Sequence, residues 1–503
     1  MAQEIAKRWW LPAVVILVLA GAAITWYALM RPATAPLDAA TPADAVVVAP
    51  ATASAGTRLA LGMGSDITDD LAVSRVPGTA IAAQLHSAGI ALLRFGADAA
   101  DSYDWESGCS YGNDGQAPPE CGNKAGQGSS FDHFLELANA VGARPLIVVN
   151  GEIDDPQKAA RMVAYYWGHC VYAHDAQGRP SGTCLQPYWE IGYSPATWRH
   201  FAIPLPARRA SDEATIQPDQ YAALVISYAA AMQRATPPHT QLLIVADEWI
   251  TGATDQSWVA RVGAIDTHYA SFLYVPGSPQ PTRDQIITAI QNNSVSGRPG
   301  IDTRLEELRS SLAQFSNSDS IGIIVGQWTI DAYDQLDEPT IYAGYIQAIF
   351  AAEIMAHLWQ NADPGGINPV IGAIQYPIIG SSQEPFDVVS GAPRSAVAVY
   401  HLVDAYFGAY PRSVMVGDSL SRQGVVAAAA ARQGVTSVLL VNTDREHPIS
   451  VRLRGLPDGP CRMVWIEPDR AGTGASPTHE TVVRGMQVTL PPWAIAVVQA
   501  HSA

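Results

Sequence analysis

Eight short apolar runs along this sequence each close on side chains that can hydrogen-bond or stack, and any chemistry is to be sought there. The closing residues are Asp66, Arg94, Asn150, Gly192-Tyr193-Ser194, Asp247-Glu248-Trp249, His268-Tyr269, Gln327-Trp328 and Gln375-Tyr376. The set is polar and aromatic, with few charges. Aromatic rings stack on the C–H faces of sugars, while amides and carboxyls pair with their hydroxyls, so the set suits a carbohydrate. Taken singly, each residue is as well explained as a cap on a strand end; taken together, the eight favour a site. Competing chemistries lack their motifs. Ser194 is not in a Gly-x-Ser-x-Gly elbow, and there is neither a His-Glu-x-x-His pair nor a phosphate loop. His268 reads as a hydrogen-bonding residue, and no metal or cofactor is expected.

The elements that must position these residues alternate in type. Strands are expected over Arg58–Asp66, Ile90–Gly96, Arg144–Asn150, Pro187–Gly192, Gln241–Asp247, Ala264–Tyr269, Ser320–Gln327 and Ile371–Tyr376. Between them, Ser130–Val141, Pro156–Tyr172, Pro218–Ala235, Asp302–Phe315 and Glu338–Trp359 carry apolar residues at three- and four-residue spacing, as helices do. Strand–helix alternation of this count predicts an α/β fold, a (β/α)8 TIM barrel over residues 57–410, whose strand ends converge on one face. The runner-up, an open doubly wound sheet, lacks a Gly-x-Gly-x-x-Gly turn after the first strand. Beyond Pro411 the pattern turns to short strands (Val414–Val416, Val425–Ala431, Ser437–Asn442, Ile449–Leu453, Arg462–Ile466 and Met486–Gln499), which predicts a C-terminal antiparallel β-sandwich over 411–503.

The amino terminus predicts a compartment. Trp9 to Met30 is uncharged and long enough to cross a bilayer as a helix, with aromatic residues at both ends and Lys7-Arg8 before it. Residues 1–31 are therefore expected to be an uncleaved transmembrane helix in a cell membrane, with the folded domains outside the cytoplasm. A signal peptide cleaved near Ala20-Gly21-Ala22 is the competing reading. Residues 32–56, rich in Ala, Pro, Thr and Asp, are expected to be an extended linker. The cysteines agree with export: Cys109 with Cys121 and Cys170 with Cys184 are the natural local disulfides, leaving Cys461. A zinc site is the alternative, but no Cys-x-x-Cys pair occurs. A net charge of −17 and a hydrophobic fraction of 48% argue against nucleic acid as a partner and against wholesale disorder.

Several segments resemble, in order, the clan-A glycoside hydrolases of the α-L-arabinofuranosidase type, families 51 and 39. They are Ile90-Ala-Leu-Leu-Arg-Phe-Gly with Ser102-Tyr-Asp-Trp105, Phe131-Asp-His-Phe-Leu-Glu-Leu-Ala, Gly142-Ala-Arg-Pro-Leu-Ile-Val-Val-Asn150, Tyr188-Trp-Glu-Ile-Gly192, Ile265-Asp-Thr-His-Tyr269, Ile323-Ile-Val-Gly-Gln-Trp328 and the terminal Leu490-Pro-Pro-Trp-Ala-Ile-Ala-Val-Val. The resemblance implies a barrel with a sandwich and a sugar-binding cleft. It also marks a departure. Where the family places its acid/base glutamate on strand four this chain has Ser194, and where it places its nucleophile on strand seven this chain has Gln327. Retaining hydrolysis needs two carboxyls about 5–5.5 Å apart, and a hydroxyl with an amide supplies neither role.

Three functions follow as expectations. The first is a catalytically degenerate, membrane-anchored protein that keeps a carbohydrate-binding or partner-docking cleft, lined by Arg94, Asn150, Trp198, His268, Tyr269, Gln327, Trp328 and Tyr376. The second is an active glycosidase using relocated carboxylates, Asp66 or Glu248, on an arabinoside, xyloside or uronide. The third is a structural component that contacts other envelope proteins. Asp331 and Asp334, which follow Trp328, read as solvated loop residues, and Glu190 as a structural strand residue.

Overall fold

The structure, a computed structural model, describes residues 42–49, 59–65, 78–110, 130–152, 154–174, 180–198, 216–270, 300–329, 345–362, 367–376, 378–380, 386–387, 393–408, 410–432, 434–467 and 478–501. Eight parallel strands close into a barrel: β1 (Ala60–Ser65), β2 (Leu92–Phe95), β3 (Arg144–Val149), β4 (Tyr188–Ile191), β5 (Leu243–Asp247), β6 (Val262–Ala270), β7 (Gly322–Thr329) and β8 (Val370–Gln375). Each expected strand is present, its ends displaced by a residue or two. The runs are apolar on both faces, as in Pro145-Leu-Ile-Val-Val149 and Ile323-Ile-Val325, because one face fills the barrel and the other meets helices. Register brings the site residues level. His268 lies opposite Gln327, and Trp328 lies between Tyr269 and Gln375.

Helices Ser130–Val141 and Pro218–Ala235 have the expected bounds. The helix from Pro156 begins on an Asp155 cap, whose carboxyl accepts from the Lys158 N–H at 2.8 Å, with Pro156 in the first turn. It stops at Gly168 rather than Tyr172, because the chain there enters a hairpin, Tyr172–His174 with Pro180–Cys184, tied by a Cys170–Cys184 disulfide. Cys109 is also disulfide-bonded, while its expected partner Cys121 lies outside the described residues. Cys461 is free and buried. Two barrel helices, Gly78–Ser87 and Ser395–Tyr406, and the short helix Asp418–Arg422 were not expected; the Ala-rich composition of the first two gives weak amphipathic contrast.

The sandwich sets a four-stranded sheet (Val414–Val416, Ala45–Val48, Ile449–Arg454, Gln487–Leu490) against a six-stranded one (Tyr410–Arg412, Val425–Arg432, Val435–Asn442, Ile495–His501, Cys461–Ile466, Thr478–Val483). This corrects two expectations. Part of the supposed linker, Ala45–Val48, is a buried central strand between Val414–Val416 and Ile449–Arg454. Three consecutive valines favour extended backbone, whatever the composition around them. The run Met486–Gln499 is two strands in different sheets, because Pro491 and Pro492 cannot donate to a ladder. The proposed membrane helix lies outside the described residues; among those described, no helix is long and apolar enough to cross a membrane.

Helix Tyr345–Asn361 lies between barrel and sandwich and is buried nearly all round. Trp359 meets Phe407 edge-on with centroids 5.0 Å apart, and the Gln360 amide donates to the Ala427 carbonyl. Its Glu353 is 1% exposed, and neither carboxyl oxygen has a hydrogen-bond partner among the described residues. Burial first, and the charge of Asp302 second, push this carboxyl well above its ordinary 4.5. The native state therefore keeps a proton that the unfolded chain releases above that pH, and stability falls as pH rises toward the folded-state value. Glu353→Met should be more stable than the parent by about 1–3 kcal/mol at pH 8. In urea titrations that gain should shrink as pH falls to 4; a gain independent of pH would refute the assignment.

Candidate functional site

Four barrel strands meet on one buried guanidinium. Arg94, at the end of β2, has no solvent exposure. Its Nη1 donates to the Gly326 carbonyl of β7 at 2.8 Å, and Nη2 donates to Glu190 of β4 and to Asp266 Oδ2 of β6 at 3.3 Å. Gly326 must lack a side chain, since a Cβ there would fall 1.9 Å from Asp266 Oδ1. Burial, above all, holds Glu190 well above the usual carboxyl range, with Arg94 opposing and Asp266 reinforcing the shift. For Asp266 burial also pushes upward, but Arg94, His268 and the hydrogen bond from Glu190 more than reverse it. The two carboxyls are thus pushed in opposite directions, and a proton on the pair is held more tightly by Glu190 than by Asp266.

Asp266 passes this order to the surface. His268, two residues along and on the same face of β6, has Nε2 at 2.9 Å from Asp266 Oδ2, which places the Nε2 proton toward the carboxylate. The imidazole stacks on Tyr193 with centroids 4.3 Å apart, and the Arg94 guanidinium lies 4.6 Å from the Tyr193 ring centroid. The side chain of His268 remains 25% exposed. Glu190, Asp266 and His268 also have possible metal-ligand atoms within 4.8 Å of one another. Arg94 already supplies positive charge to both carboxyls, so the residues do not fit an added cation.

The end of β4 is fixed by a residue the sequence reading passed over. Asp101 accepts from the backbone N–H of Tyr193 (3.0 Å) and of Ser194 (3.1 Å), and from Trp198 Nε1 (2.7 Å). Burial pushes its pKa up to about 7 against the pull of these three donors. Gly192 has φ +69°, and a Cβ there would lie 2.0 Å from Trp198, so this corner demands glycine. The acidic spacing Asp98, Asp101, Asp104 after β2 was the available signal.

Around this centre the expected lining residues divide. Trp198, Trp328, Tyr269, Asn150 and Arg94 are buried, whereas His268 and Tyr376 are partly exposed. The Asn150 amide is spent on the backbone, donating to the Tyr103 carbonyl and accepting from the Glu152 N–H. Gln327 Oε1 and Gln375 Oε1 are buried without a hydrogen-bond partner among the described residues. Glu248, at the end of β5, accepts from Thr267 Oγ1 at 2.7 Å and from Arg304. Its neighbour Asp247 caps the Trp249 N–H at 2.7 Å, and burial pushes its carboxyl up to about 7. Asp66, Asp331 and Asp334 lie outside the described residues.

No protein-family model and no curated protein matches the chain by sequence. Solved structures do. The α-L-arabinofuranosidase of Thermotoga maritima, in complex with arabinose, superposes with a TM-score of 0.62 at 12% identity, over 91% of this chain and 99% of that one. The GH51 arabinofuranosidase of Xanthomonas axonopodis pv. citri gives 0.63 at 13% identity, over 91% and 100%. The chain shares the fold of these enzymes, a parallel barrel with a C-terminal β-sandwich. CelM2, a bifunctional glucanase-xylanase from a metagenome library, shares it (TM-score 0.63, 12% identity, 91% and 99% covered). In this fold the Arg94 cluster lies at the carboxyl ends of the strands, the face where barrel enzymes carry their sites.

If Arg94 anchors this floor, Arg94→Met should cost about 3–5 kcal/mol, because Asp266 is left buried without its counter-charge. Adding Asp266→Asn should recover part of the loss. Urea unfolding midpoints test this, and a double variant no more stable than the single would refute it.

Proposed function

We propose that the chain is a glycan-binding protein built on the glycoside-hydrolase fold, and that its cleft does not carry out retaining hydrolysis. The observation that carries this reading is the state of the carboxyls around the cleft. Glu190 and Asp266 are bound to Arg94, Glu248 to Arg304 and Thr267, and Asp101 to three donors of the β4 corner. The β7 position carries the Gln327 amide, and the β4 corner carries Ser194. Retaining chemistry requires a nucleophilic carboxylate and a proton-donating carboxyl facing one glycosidic oxygen. What the cleft offers instead is a fixed imidazole, the Tyr376 ring and an amide, groups that bind hydroxyls and stack on sugar faces.

The placement of the protein is part of the same proposal. The uncharged Trp9–Met30 run supports a single-pass anchor, and the Cys170–Cys184 disulfide supports an oxidising compartment outside the cytoplasm. An anchored, exported barrel would hold glycan at the cell surface.

Calorimetry with neutral xylo- and arabino-oligosaccharides tests the function. The parent protein should bind, His268→Ala should weaken binding tenfold or more, and aryl arabinofuranosides and xylosides should not turn over. Turnover that disappears in Glu248→Gln would overturn the proposal in favour of a glycosidase with relocated carboxylates.

A further inference from the structure

At the opposite end of the barrel, where β4, β5, β6 and β8 begin, a cavity of about 660 Å³ opens to solvent. That volume falls within the range of small-molecule sites. We propose that it is a second binding site, for a neutral, hydroxyl-rich ligand such as a short oligosaccharide.

The lining argues for that class. Its floor is apolar, from Leu243, Val262 and Ile371, and its polar groups are amides and hydroxyls, chiefly Gln241, Gln256 and Asn317. None of the twelve lining residues carries a charge, although the chain as a whole carries −17. An ionic ligand would find no counter-charge in the lining, while a purely apolar one would leave the amides unanswered. A sugar satisfies both surfaces at once, with its C–H face on the floor and its hydroxyls on amides that can both donate and accept.

The wall is also held in place before any ligand arrives. The Tyr188 ring, at the start of β4, has the Arg144 guanidinium 5.2 Å from its centroid, and Arg144 Nη1 donates to the Tyr188 hydroxyl at 3.2 Å. The Gln186 amide donates to the Gln241 carbonyl and secures the edge beside it. A fixed ring and a fixed edge reduce the ordering cost of binding.

Gly263 supplies the test. It is an exposed β6 residue in the lining, and a Cβ built on it meets nothing nearer than the Ile244 carbonyl oxygen at 3.7 Å. A Cβ therefore meets no clash at this lining position, and a bulky side chain built on it would compete with a ligand for the cavity. The full chain should bind xylohexaose at two sites in calorimetry. Gly263→Phe should abolish one of them and leave the other, and Gln256→Ala with Asn317→Gly should weaken that same site tenfold or more. The Gly replacement keeps the left-handed backbone of Asn317, whose φ is +65°. His268→Ala should affect only the site that Gly263→Phe leaves intact. The lower site is refuted if Gly263→Phe leaves stoichiometry and affinity unchanged, or if neither xylohexaose nor an arabino-oligosaccharide binds the parent at a site sensitive to that variant. Failure of the cleft reading is separate: it would appear as binding sensitive to Gly263→Phe but not to His268→Ala.

Discussion

A guanidinium with no access to water must be answered from within, and Arg94 is answered by three other strands of the barrel. Its bonds to Glu190, Asp266 and the Gly326 carbonyl link β2 with β4, β6 and β7 at the level of the cleft floor. Much of the neighbourhood follows from this one charge. Gly326 must be glycine to admit Asp266, burial pushes the Glu190 carboxyl upward, and Arg94 and His268 pull that of Asp266 down. Two ionised carboxyls around one guanidinium would leave buried negative charge uncompensated, and the two groups are accordingly pushed in opposite directions.

The second constraint is the corner after β4. The backbone there turns through Gly192, and its next two N–H groups would be orphaned in a largely buried corner without Asp101. Trp198 closes the corner by filling the space beside Gly151 and Gly192 while its indole N–H joins the same carboxylate. Tyr193 is thereby presented to both His268 and Arg94. The floor and the corner are thus one packed unit, and the exposed face of His268 is positioned from two directions.

Much of the architecture was legible in the sequence because buried parallel strands read as short apolar runs whose polar ends mark the barrel mouth. Arg94, His268 and Gln327 were found for that reason. Asp266 and Asp101 were missed because each is held chiefly by residues distant in sequence, Arg94 in one case and Tyr193 to Trp198 in the other. The i, i+2 spacing of Asp266 and His268 was the one local clue to their shared face. Trp198 and Asn150 were read as lining residues from their types, yet packing and backbone bonding engage them inside. The Ala45–Val48 strand was hidden by averaging composition over a longer tract, and its partners lie hundreds of residues away in the sandwich.

The distribution of charge then bears on what the molecule can do. Acidic residues outnumber basic ones, 47 to 30, yet the acids nearest the described cleft are bound to internal donors or cations. A carboxylate already holding a guanidinium or a chain N–H has less freedom to attack a carbon or exchange a proton with ligand, whereas an imidazole fixed on one nitrogen still offers the other. The partly exposed Gln327 on β7 adds a neutral amide where a carboxyl would be needed for retaining hydrolysis. Charge is used here to build the floor, and recognition falls to neutral groups above it.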